Sequence, residues 1–275
     1  QAVMTAADEA GAPVILQAGL TEAQSLCLLA HDTDPFNRWE AAQQLALRRA
    51  LAFIESGRDP AGAKVLDAAF IDAMREVLRH PALDAAFKEL VLTLPSQTYI
   101  AEQLDMVDPQ RIHAVREAMR EQLALELAHD WQGAHDACHD GAAYRPDPVS
   151  SGRRAPGGLA LSMLCLAARH TGDVVWPGKT YQRFKDATNM TDRFNALAAL
   201  VSSGHALAQP ALERFHAMFS DEALVIDKWF ALQAGAPDRD GEVLPRVRAL
   251  MNHPDFNLRN PNRARSLIFS FCQGN

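Results

Sequence analysis

Leu78-Arg79-His80-Pro81-Ala82-Leu83 returns much later in the chain as Met251-Asn252-His253-Pro254-Asp255-Phe256. A looser relative, Ala30-His31-Asp32-Thr33-Asp34-Pro35-Phe36, precedes both. Each string places a histidine at the C-terminal end of an apolar-periodic stretch, where a protonated imidazole complements the helix dipole. Each then supplies a proline that stops one helix or starts the next. An echo of this kind between helices is the mark of a repeat array, in which every unit buries its apolar face against its neighbours. The expected fold is therefore all-α, a superhelical solenoid of antiparallel helix pairs of the HEAT/armadillo kind. A compact helical bundle is the alternative.

The segments between the echoes support helices almost throughout. Thr21 is placed to cap a helix that runs to Ala30. Pro35 opens a long amphipathic stretch in which Phe36, Trp39, Ala42, Leu45, Ala46, Ala50 and Phe53 recur at three-and-four spacing. Further stripes follow from Val65 to Leu78 and from Leu83 to Val91, with a short helix from Ser96 to Leu104. Asp108-Pro109 opens a long helix that carries Trp131 inward. Helical stripes fill most of the chain from Leu159 to Met251, and a last helix is expected from Asn262 to Phe271. Pro13-Val14-Ile15-Leu16 reads as a short strand or an extended linker, and Val174-Val175-Trp176 is a β-like triplet ended by Pro177. The stretch 141–158, rich in Gly, Ser and Pro, reads as a loop.

The 275 residues, 48% apolar and 22% charged, make an ordinary globular composition and enough chain for a large core. A formal charge of -7 argues against nucleic acid as a partner, because phosphate binding needs clustered cations. No apolar run reaches the ~20 residues that span a bilayer, so no membrane partner is expected. The first ten residues have no cationic n-region and do not read as a signal peptide. Four scattered cysteines without a CxxC pair suit reduced thiols and a cytoplasmic location. Cys27 and Cys165 both sit in apolar surroundings and read as buried.

Chemistry-bearing clusters are few. His129, His135, Cys138 and His139 lie close together, and His135 and His139 would share one helix face. Neither HExxH nor GxSxG nor a P-loop spacing occurs, and the glycine-rich piece 151–158 follows no strand. The cluster reads mainly as a polar helix end. Asn257, Arg259, Asn260, Asn262, Arg263 and Arg265 form a basic, amide-rich tail. It reads as a helix cap with ion pairs to neighbours such as Asp255, and alternatively as a carboxylate-binding set. Trp39 and Trp229 read as packing anchors. Residue chemistry alone therefore points to a helical interaction or structural domain.

Several strings occur in an order that carries more information. They are Asp34-Pro35-Phe36-Asn37-Arg38-Trp39-Glu40, Leu92-Thr93-Leu94-Pro95-Ser96, Asn189-Met190-Thr191-Asp192 and Val225-Ile226-Asp227-Lys228-Trp229-Phe230. Asn252-His253-Pro254-Asp255-Phe256 then leads into Asn260-Pro261-Asn262-Arg263-Ala264-Arg265-Ser266-Leu267-Ile268. Together they resemble the C-terminal helical domain of bacterial aminopeptidase N, the zinc-dependent alanyl aminopeptidases of the gluzincin class. The resemblance implies residues 1–19 as a linker or remnant of a preceding domain, and 20–275 as the helical domain, truncated before its last helices. It implies a non-catalytic part of an enzyme that removes N-terminal amino acids from peptides, covering the catalytic cleft and shaping access to it. Its partners would be the catalytic and β-sandwich domains and, in the parent, peptide substrate. Zinc would belong to the parent, with no cofactor, zinc ligand or catalytic residue on this chain. Arg38, Trp39, Asn189, Asp227, Lys228, Trp229, Asn260, Asn262, Arg263 and Arg265 are the candidate structural or cleft-facing residues. A free-standing protein-binding adaptor is the alternative function, and an enzyme built on the His129–His139 cluster a third. Pro156-Gly157-Gly158 interrupts the helix start usual in that family and should shorten or delay it.

Overall fold

The computed structural model describes residues 19–138, 148–239 and 241–274, with residues 148–153 described by backbone alone. The short strand or extended linker read at Pro13–Leu16 and the candidate His139 lie outside the described residues. Every regular element among those described is helical. The chain divides into two compact units, residues 1–77 with 90–118, and residues 78–89 with 119–275.

In the first unit, α1 (Glu22–His31) packs on α2 (Pro35–Glu55). Thr21 begins α1 with a full capping box, its hydroxyl accepting from the Gln24 N–H while the Gln24 side chain accepts from the Thr21 N–H. Asp34 caps α2, with Pro35 at the first helical position. Leu29, Ala42, Leu45, Phe53, Phe70 and Met74 form fully or almost fully buried apolar positions. Arg49, itself buried, pairs with Glu22 and, at 2.6 Å, with Asp67. Arg111, near the start of α6 (Pro109–Glu126), donates to the carbonyls of Phe53 and Ile54 in the last turn of α2 and of Arg58 just beyond it, which supplies the acceptor-rich helix end with cationic donors. Cys27 is exposed, contrary to the sequence reading, because the buried face of α1 carries Ser25 and Leu29.

The second unit is a chain of helices that pack mainly on their sequence neighbours. Its main elements are α7 (Ala128–Ala137), α8 (Pro148–Thr171), α9 (Val175–Asp186), α10 (Met190–Ser203), α11 (Ala208–Phe219), α12 (Ala223–Ala234) and α13 (Val243–Leu250). The long helix expected to include Trp131 breaks at Leu127, whose φ of -109° and ψ of 18° leave helical space. Trp131 is buried as expected. From Pro148 the region read as a loop is helical, and α8 runs through Pro156, Gly157 and Gly158. Close packing explains Gly158: a Cβ there would lie 2.5 Å from Asn195 Nδ2 on α10, so glycine permits the approach of the two helices. Asn195 in turn donates to the Arg154 carbonyl at 3.3 Å. The β-like triplet at Val174 is a helix start, with the Asp173 carboxylate accepting the Val175 N–H at 2.8 Å. Gly204 closes α10 in the left-handed conformation at φ +67°.

The last segment is irregular. α14 (Pro261–Ala264) passes into a π-turn at Arg265–Phe269 and then α15 (Ser270–Gly274), where one uniform helix was expected. Leu267 is buried in the core with Phe215, Ile226 and Phe230, whereas Phe269 is exposed.

The echo that opened the sequence reading has a structural cause. His80 Nδ1 accepts the N–H groups of Ala82 and Leu83 at 3.2 and 3.1 Å. His253 Nδ1 accepts the Asp255 N–H at 3.2 Å, and His205 Nδ1, which the sequence reading did not single out, accepts the Leu207 N–H at 3.1 Å. These rings act as hydrogen-bond acceptors that fold the turn after a helix, rather than as cations facing its dipole.

Candidate functional site

A dense polar cluster lies in the second unit, where α11, α12, the turn after α13 and α14 meet. Asp227 and Arg263 form an ion pair at 2.6 Å, with side-chain exposures of 11% and 7%. The Arg263 guanidinium also donates to the carbonyls of Asp255 and Ala223 and sits 5.0 Å from the centre of the Phe230 ring. Asn260 presents it by capping α14, its side-chain oxygen accepting the N–H groups of Asn262 and Arg263. One guanidinium therefore ties α12 to the turn at Asp255 and to the last helical segment.

On the same cluster, His216 at the end of α11 meets Asp255, with Nε2 2.6 Å from Oδ2. His253 Nδ1 is 3.7 Å from that oxygen. Trp229, buried, lies 4.9 Å from the His216 ring and 5.3 Å from the His253 ring, and its Nε1 donates to the Leu212 carbonyl at 3.0 Å. Burial pushes the His253 imidazole below its ordinary pKa, against the attraction of Asp255 and with help from His216 and Arg263. His216 was missed by the sequence reading because it lies on an unremarkable amphipathic helix, far in sequence from His253 and Asp255.

The structure scatters the remaining candidates. Arg38 is buried in the first unit, where it donates to the carbonyls of Ala30 and Asp32 and so closes the end of α1. Trp39 is half-buried and rests on Phe36 at 5.8 Å. Asn189 caps α10 through Asp192. Lys228 is exposed, with its amine 5.8 Å from the Phe194 ring. Asn262 and Arg265 are exposed on the last segment, and the Asn262 carbonyl accepts from Ser266. His135 packs edge-on against Trp176 and bonds to Asp136, while His129 is exposed.

A polar cleft of about 480 Å³ in the same unit is lined by Arg169, Asp173, His205, Arg239, Glu242 and Arg246, among others. Arg169 and Arg239 donate to the carbonyls of Ser203 and Ser202, the end of α10. Their guanidinium groups flank Gly204, where a Cβ would stand 3.0 and 3.3 Å from them. These cations serve the helix terminus.

A family described as a domain of unknown function (DUF3458_C) with ARM repeats matches residues 22–275. The chain is 34% identical over 273 residues to Aminopeptidase N of Caulobacter vibrioides, covering 99% of the chain and 30% of that protein. It is 34% identical over 270 residues to Aminopeptidase N of Escherichia coli, again 30% of that protein. Among solved structures, aminopeptidase A of Legionella pneumophila in complex with aspartic acid superposes with a TM-score of 0.80 at 28% identity. That match covers 96% of this chain and 31% of the other. The chain thus spans about a third of the length of these relatives. ARM repeats decide between the two folds expected from the sequence, in favour of the helix-pair solenoid.

Proposed function

The chain belongs to the family of DUF3458_C ARM repeats, and from that premise we propose that it is a non-catalytic helical domain of a zinc aminopeptidase. The observation that carries this reading is the match of nearly the whole chain, at 34% identity, to about 30% of Aminopeptidase N proteins. The chain contains no HExxH, so the zinc and its general base are assigned to another domain of the parent. The work of this domain is to cover the catalytic cleft and shape the passage of peptides to it, excluding water and folded substrates without chemistry of its own. Its partners are the catalytic and β-sandwich domains of the same enzyme, with peptide as the parent's substrate and the cytoplasm as its location. No helix among the described residues is long and apolar enough to cross a membrane.

The test is hydrolysis of an alanyl chromogenic substrate. The chain alone should show no turnover with or without added zinc. The remaining domains should be altered in rate or substrate size range when the chain is added. Zinc-dependent turnover by the chain alone overturns the reading, and failure to associate with the other domains favours a free-standing adaptor.

A further inference from the structure

We propose that His216, His253 and Asp255 form a binding site for a divalent transition metal of the zinc class, which pins the end of α11 to the turn after α13. One ligand atom from each of the three residues lies within 4.8 Å of the other two. Two separations, 2.6 Å from His216 Nε2 to Asp255 Oδ2 and 3.7 Å from His253 Nδ1 to the same oxygen, bracket the spacing of ligands around such an ion. With bonds of about 2.0–2.1 Å in a tetrahedron, ligand atoms stand roughly 3.4 Å apart. Small rotations of two half-buried rings therefore suffice. The ion takes the place of the hydrogen bond between His216 and Asp255, and one position stays open to water.

The donor set selects the metal. Two imidazoles and one carboxylate suit zinc, cobalt, nickel or copper, whereas magnesium and calcium prefer oxygen alone. The surroundings are also favourable. The Trp229 indole lies against both rings. Arg263 holds the Asp255 carbonyl, which fixes that residue's backbone beside the site. The Arg263 charge is itself met by Asp227 at 2.6 Å. Asp255, Asp227 and Arg263 leave the neighbourhood net negative before an ion arrives. The Asp255 N–H bond to His253 Nδ1 orients that ring and is given up if the metal takes this nitrogen. None of the three ligands belongs to an HExxH arrangement, so the site is separate from the zinc assigned to the parent's catalytic domain.

The experiment uses the 275-residue chain, stripped with chelator and with its accessible thiols alkylated so that cysteine does not compete. Zinc at micromolar concentration should bind at one ion per chain and raise the melting temperature. His216→Gln and Asp255→Asn should each weaken binding by roughly tenfold or more. X-ray absorption on the wild-type zinc form, which does not depend on the folding of any variant, should show two imidazoles in the coordination shell. Lack of stoichiometric zinc in the wild type overturns the proposal. So does a shell without imidazole, or binding unchanged in both variants.

Discussion

Replacing either member of the Asp227–Arg263 pair should unfold the second unit far more readily than replacing both. Each side chain is about nine-tenths buried and they meet at 2.6 Å, so removal of one leaves an uncompensated buried charge. That loss costs about 3–5 kcal/mol, much more than the net worth of the pair. The two halves are not equivalent. Asp227→Leu strands one guanidinium that still has the carbonyls of Asp255 and Ala223. Arg263→Met strands a carboxylate and orphans both carbonyls, each worth about 1 kcal/mol more. It also removes the cation from the face of Phe230. Arg263→Met should therefore be the worse single change. The double variant should cost less than Arg263→Met alone, since only the orphaned carbonyls remain. The coupling read from the cycle should exceed the cost of Asp227→Leu alone, about 3 kcal/mol or more. Urea unfolding followed by tryptophan fluorescence suits the measurement, because Trp131, Trp176 and Trp229 all lie in the second unit. In a thermal scan the single changes should lower the midpoint by roughly 10 °C for a unit of this size. Costs that simply add, or single changes below about 1 kcal/mol, would refute the view that this pair locks α12 to the final segment.

Three further outcomes follow from packing and from the turns. Gly158→Ala should destabilise by about 1–3 kcal/mol in spite of the better helix former, because its Cβ meets Asn195 at 2.5 Å; adding Asn195→Ala should recover most of the loss in the same urea assay. His80→Ala should cost about 1 kcal/mol by freeing two turn N–H groups, while His80→Asn, which keeps an acceptor, should cost less; equal costs would show that the ring serves packing alone. Cys165 is fully buried, and burial raises its thiol from its ordinary 9.0 to about 11, opposed by the hydrogen bond with Thr180 and aided by Asp173. The raised value favours the neutral thiol in the folded chain, so its stabilisation is whole below pH 9 and is lost as pH climbs from 9 through 11, about 3 kcal/mol in full. Iodoacetamide in native buffer should label the exposed Cys27 and Cys272 and spare Cys165; rapid labelling of Cys165 would contradict its burial.

Helix positions were legible where the signal is local. Thr21, Asp34, Ser96 and Asn260 each bond the N–H groups of the turn that follows, and the side-chain types that do this are few. Failures fell where packing outweighs propensity. Pro156-Gly157-Gly158 reads as a break, yet Gly158 is what lets α8 approach Asn195, and local composition carries no sign of a neighbouring helix. Cys27 and Cys165 have similar apolar flanks, and only the direction of each helix face separates an exposed thiol from a buried one.

The polar cluster shows the limit more sharply. Asp227, Trp229 and Arg263 were singled out as strings, but their partnership spans α12 to α14, and nothing in the spacing says which carboxylate an arginine will meet. The histidine-proline echo is the middle case. Its recurrence was visible, and the dipole explanation for it was physically sound, yet the rings turn out to receive N–H bonds at Nδ1. A histidine that closes a turn in this way uses Nδ1 as an acceptor, and at His253 that is the nitrogen the proposed metal would take. At the turn after α13 this places the ring and the side chains that follow beside the end of α11. At His253 the side chain two residues on is Asp255, and the adjacent helix end carries His216. The turn thus sets His253 and Asp255 beside His216, while its own bond to Nδ1 competes with the proposed metal for that nitrogen.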